Sequence, residues 1–155
     1  MKPTEPLALH HSWPMIERDQ RFAWGVVHDE LPEAFVSADP AHANDVLGAI
    51  GTWECDLADN ALRWSDAVYD IFDLPRRIAL FRPDTLGLYR EASRAAMERL
   101  RCHAIRHCRG FTLDAEIGTA SGARRWMRLI AVPTAIEGKV VRLHGLKQDV
   151  TGLYC

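Results

Sequence analysis

No apolar run in this sequence of 155 residues approaches the roughly 20 that cross a bilayer. The opening MKPTEPLALHHSWPM also lacks the continuous apolar core of a secretory signal. The expected compartment is therefore the cytoplasm, with no membrane contact. The four cysteines (Cys55, Cys102, Cys108, Cys155) contain no C-x-x-C pair, which fits reduced thiols better than a disulfide framework. A large excess of one charge sign is missing too: the formal net charge is −2, so no overall field would draw nucleic acid, and none is expected as a partner. There is no G-x-x-x-x-G-K-[ST] loop, no G-x-S-x-G elbow, no histidine-kinase phosphoacceptor segment and no internal repeat. These absences leave no residue to which catalysis can be assigned. With 48% apolar residues and eight prolines, the chain suits one globular domain with a real core.

Composition shifts near residue 50, from a His- and Pro-punctuated leader to regular patterning. The expected division is an N-terminal extension over 1–47 that carries helices, and a folded domain over 48–152. In the leader, Pro14 to Val27 could form a helix, and ADPAHANDVLGAIG reads as another, with Asp39 as N-cap, Pro40 at its first position and Gly51 as its stop. GTWECDLADNALRW alternates Thr52, Glu54 and Asp56 with Trp53, Cys55 and Leu57 before an Asp59-Asn60 turn, which predicts a hairpin. Ser65 then caps a short helix carrying Val68, Ile71 and Phe72. From Asp84 to about His107 the apolar residues step by three and four, which predicts one long amphipathic helix. FTLDAEIGT, RRWMRLIAVPT and KVVRLHGLKQDV, separated by Ser121-Gly122 and Glu137-Gly138 turns, predict an antiparallel meander. The fold class is α+β, one sheet with helices on one face.

These pieces carry the pattern G-x-W-x-x-D-L, then L-x-W-S-D-x-x-Y-x-I-F-x-L, a later R-W-x-R and a terminal G-x-x-x-D-V-T. The positions are Gly51, Trp53, Asp56, Leu57, Leu62, Trp64, Ser65, Asp66, Tyr69, Ile71, Phe72 and Leu74, then Arg125, Trp126, Arg128 and Gly145 with Asp149, Val150 and Thr151. Over about residues 48–152 the sequence resembles a PAS domain of the subgroup common in bacterial sensor kinases and cyclic-nucleotide signalling proteins. The resemblance implies a five-stranded antiparallel sheet with helices packed on one face, and a sensory or interaction role rather than catalysis. It also implies a pocket between sheet and helices, with Phe81, Leu88, Trp126, Ile130 and Leu143 as wall candidates. Asp149, Val150 and Thr151 match the motif that couples such sensors to their output, and a homodimer through the N-terminal helix and sheet face is implied as well.

RCHAIRHCRGF gathers Cys102, His103, His107 and Cys108, whose residue types suit zinc. On a helix at about 100° per residue, only His103 and His107 share a face. Two ligands do not make a site, so further ones would have to come from His10, His11, His28 or His42. Arg99, Arg101, Arg106 and Arg109 suit a helix C-terminus and repel a cation, with Gly110 placed as the residue just past the helix end. Cys108-Arg109 with Phe111 imitates the photoreactive cysteine of flavin-binding relatives, but follows the long helix instead of preceding it.

No cofactor is expected, and an unidentified small ligand is left open. With four residues after Thr151, the signal is expected to pass to a separate effector protein. The rival readings are a ligand-free dimerisation or interaction module, a haem- or metal-binding redox sensor, and a small enzyme using the cleft. The leader residues Trp13, Met15, Ile16, Phe22, Trp24, Val26 and Val27 either fold back on the domain or mark an interface.

Overall fold

The computed structural model describes residues 10–18 and 48–154. Six antiparallel strands form one sheet: β1 (His10–Pro14), β2 (Ile50–Asp56), β3 (Ala61–Trp64), β4 (Arg109–Gly118), β5 (Arg124–Ile136) and β6 (Lys139–Asp149), in the order β1-β4-β5-β6-β2-β3. Between β3 and β4 run α1 (Asp66–Ile71), α2 (Arg82–Leu86) and α3 (Glu91–His107). The meander closes as its turns predict, because Glu137 and Gly138 both take left-handed φ values of 52° and 78° and so join β5 to β6 directly.

Strand alternation divides the buried residues into two layers. Phe111, Leu113, Ala115 and Ile117 of β4, Met127, Leu129 and Ala131 of β5 and Leu143 of β6 face the helices and meet Val68, Ile71, Phe72, Ala96, Met97 and Ala104. The opposite face carries a smaller cluster of Ile130, Val132 and Leu146, which Trp13 of β1 joins. Among the described residues, no helix is long and apolar enough to cross a membrane.

Three expectations change. The sheet has six strands, not five, because His10–Pro14 of the leader pairs with β4; a 3-10 turn, Met15–Glu17, follows it, and residues 19–27 of the helix expected over Pro14 to Val27 lie outside the described residues. Of the helix expected over 39–51, residues 39–47 lie outside the described residues, while Ile50 and Gly51 open β2. The long helix expected from Asp84 is two helices. At the break the chain turns to β4 for its hydrogen bonds: Arg90 N–H donates to Glu116 O at 2.9 Å and Gly118 N–H to Leu88 O at 2.7 Å.

Candidate functional site

The site grows from one glycine on β6. Trp53 of β2 stands opposite Gly145, and its Nε1 donates to the carbonyls of Ile130 at 3.3 Å and Leu146 at 3.2 Å. A Cβ at Gly145 would overlap the Ile130 carbonyl, so only glycine permits this close strand approach. Two residues further along the same strand face stands Lys147.

Lys147 is 6% exposed, on the helix side of the sheet. Its Nζ lies 4.9 Å from the ring centre of Trp64, 5.2 Å from Phe72, 5.5 Å from Trp53 and 5.9 Å from Tyr89. Tyr89 Oη accepts its hydrogen bond at 3.4 Å. Two effects oppose each other here. Desolvation disfavours the ammonium, while four aromatic faces attract it. Burial pushes the Lys147 amine down to about 7; the neighbouring Cys55 thiol opposes this and the Arg82 charge adds to it. Burial likewise raises the Tyr89 phenol above its ordinary value, so it stays protonated at neutral pH.

Beside Lys147 lies a cavity of about 40 Å³, walled by Trp53, Met97, Leu129 and Leu143, with Arg82, Arg101, Thr85, Tyr89 and Cys55 contributing polar atoms. By a measure in which one water needs at least 10–15 Å³, it has room for about three waters. Arg82 is ion-paired with Glu98, and Arg101 Nη2 donates to Asn60 Oδ1 at 2.9 Å. Two guanidinium groups and an amine against one carboxylate make the cavity electropositive.

Of the wall residues proposed from sequence, Leu143 lines this cavity. Phe81 is 66% exposed, and Leu88 packs at the margin of the core outside the lining. Trp126 and Ile130 lie on the opposite sheet face: Trp126 stacks on Tyr154 at 4.2 Å between ring centres, and Ile130 joins the Trp13 cluster. Asp149 Oδ1 accepts from Thr151 N–H at 2.9 Å and from its Oγ1 at 2.6 Å, while Trp126 N–H donates to Thr151 Oγ1 at 3.0 Å. Val150 is fully buried, and its N–H donates to Trp126 O. The motif thus locks the end of β6 onto the start of β5.

His103 and His107 are exposed with ring centres 4.5 Å apart, and Cys102 and Cys108 are exposed as well. Among the described residues, no three His, Cys, Asp or Glu side chains converge as a metal group would need. The left-handed residue ending α3 is Cys108, with φ 52°, and not Gly110, which lies within β4. Lys147 and the Arg82 and Arg101 pair were absent from the sequence-based candidates. A usable signal was there for the lysine, because it shares strand parity with Leu143 and Gly145.

No known family profile matches the sequence, and no curated protein matches it. Solved structures do. The N-terminal domain of a diguanylate cyclase with PAS/PAC sensor from Marinobacter aquaeolei superposes with a TM-score of 0.63 at 12% identity, covering 68% of this chain and 99% of that one. A sensory box histidine kinase/response regulator from Burkholderia thailandensis gives 0.56 at 21% identity over 72% and 83%. An RNA-binding light-oxygen-voltage receptor gives 0.59 at 14% identity over 66% of this chain, which spans only 30% of that receptor. With its antiparallel sheet, its helices between β3 and β4 and these superpositions, the chain has the PAS fold.

Proposed function

We propose that this chain is a cytoplasmic sensory or regulatory PAS domain that binds a small molecule in the cavity beside Lys147 and passes a conformational change non-covalently to a separate effector, working as a homodimer. The carrying observation is the burial of an amine among four aromatic rings at the wall of an electropositive cavity. Such a group costs stability, and perturbed titratable groups in clefts concentrate at functional sites. A ligand would act through different affinities for two arrangements of sheet and helices. A ligand against Leu143 and Lys147 would lie two to six residues before Asp149, Val150 and Thr151, the proposed output motif.

The lining does not fit the larger cofactors of the fold. A haem or flavin has many times the bulk of three waters, and no described histidine lines the cavity. Cys108, which imitates a photoreactive cysteine in sequence, is exposed at the end of α3 and outside the lining. Native mass spectrometry of the protein as purified tests the proposal. The expected spectrum shows a dimer carrying a small bound mass per chain; a bare chain that also takes up none of a panel of small anions overturns the ligand reading, and a monomer at micromolar concentration overturns the dimer.

A further inference from the structure

We propose that Lys147 captures small 2-oxo acids as a reversible imine, with Nζ bonding the carbonyl carbon while the Arg82 and Arg101 side chains of the same cavity take the carboxylate. This rests on the cavity being the ligand site and names the chemical class that the site takes.

The residue types argue for it. The chain has three lysines (Lys2, Lys139 and Lys147) against sixteen arginines, yet the inward-facing cation of β6 is a lysine. Arginine cannot shed its proton at any ordinary pH, whereas a buried lysine can, and a desolvated amine beside another cation is the usual form of an imine-forming lysine. An unperturbed lysine, near 10.4, offers about one free amine in a few thousand at pH 7. With burial drawing it to about 7, a large share of Lys147 is free base at neutral pH. The groups facing Nζ are Cys55 from β2, Arg82 from α2 with its Glu98 partner from α3, Arg101 from α3, and Tyr89.

The step balances without an oxidant or reductant. The Nζ lone pair adds to the carbonyl carbon and one nitrogen proton moves to the new alkoxide; the hydroxyl so formed takes a second proton and leaves as water while the C=N bond forms, and the remaining nitrogen proton restores the donor. Tyr89 Oη, 3.4 Å from Nζ and held protonated by burial, is placed to deliver a proton to the departing oxygen. The aromatic walls exclude bulk water, which favours the imine over its hydrolysis. Room for about three waters, roughly 90 Å³ as liquid, limits the ligand to the smallest 2-oxo acids, of which glyoxylate is the first.

The full-length chain is incubated with glyoxylate and cyanoborohydride at pH 7, and peptides are analysed by mass spectrometry. One carboxymethyl group on Lys147, lost in Lys147→Met, is expected. Cys55 could add to the same carbonyl, but its adduct has no C=N bond for hydride to reduce. Arg101→Gln, at a part-exposed position, keeps the amine. It should slow trapping of glyoxylate about tenfold and leave trapping of uncharged acetaldehyde unchanged. Label confined to Lys2, Lys139 or the terminal amine, or no label, overturns the proposal. Tryptophan fluorescence without reductant separates the two readings. Saturable quenching by both glyoxylate and glycolate with no adduct at Lys147 overturns the imine and leaves the cavity as a ligand site. Neither quenching nor adduct overturns the imine, and the ligand-site reading is then decided by the native spectrum.

Discussion

Trp53 and Trp64 flank the same amine but are held differently. The indole N–H of Trp53 donates to two strand carbonyls, whereas that of Trp64 is buried and finds no acceptor. Replacing Trp53 with phenylalanine opens a gap and strands both carbonyls. The same change at Trp64 opens a gap but also removes an unsatisfied donor, whose burial already costs free energy. Trp53→Phe is expected to lose about 3 kcal/mol and Trp64→Phe about 1 kcal/mol by urea unfolding; equal losses would contradict the hydrogen-bond argument. At this scale spacing did not reveal the lysine between them. A lysine is almost never fully buried, and that general tendency outweighed the parity of Leu143, Gly145 and Lys147, which did place it inward. Arg82 and Arg101 could not be found from spacing at all, since α2 and α3 converge on one cavity only after the chain breaks at 87–90.

The end of α3 and the start of β4 show how an element is fixed by its neighbours. Cys108 holds the left-handed C-cap position, where a Cβ costs roughly 1–2 kcal/mol, so Cys108→Gly is expected to stabilise the protein by about 1 kcal/mol. Gly110 serves a different end: a Cβ there would overlap the ring of Trp13, which is fully buried and donates from Nε1 to Thr112 Oγ1 at 3.1 Å. Gly110→Ala should therefore displace β1 and lose about 2 kcal/mol or more, with faster proteolysis between residues 10 and 18. If Gly110→Ala is neutral and Cys108→Gly destabilising, the two roles are reversed. Both residues read alike as glycine or cysteine near a helix end, and the partner of Gly110 lies 97 positions earlier in the chain, beyond any local pattern. The same strand explains the misplaced wall residues. Because Trp13 covers the outer face, β5 is apolar on both sides, with Met127 and Leu129 inward and Ile130 and Val132 outward, and the alternation that would have assigned the faces is lost.

Across the whole molecule, Lys147 ties stability to pH. Its ordinary value is 10.5 and burial brings it to about 7 in the folded chain. Between those values the unfolded chain carries a proton that the folded chain does not, so stability rises with pH across that window, by at most about 1.4 kcal/mol per pH unit. Below pH 7 both states are protonated and the full penalty is present, on the order of 5 kcal/mol before the aromatic faces offset part of it. Burial holds the Tyr89 phenol above its ordinary value, so it stays protonated across most of this window. Lys147→Met keeps the length of the side chain among the rings and removes the titration. The variant should be more stable than wild type at pH 6, by an amount that shrinks as pH rises towards 10, as measured by urea midpoints at each pH. A difference that does not change with pH would mean that the amine stays charged throughout, held by its rings, and would remove the free base on which imine capture depends. A shrinking difference, together with label at Lys147, would mean that the fold tolerates an unstable amine where its cavity needs a nucleophile.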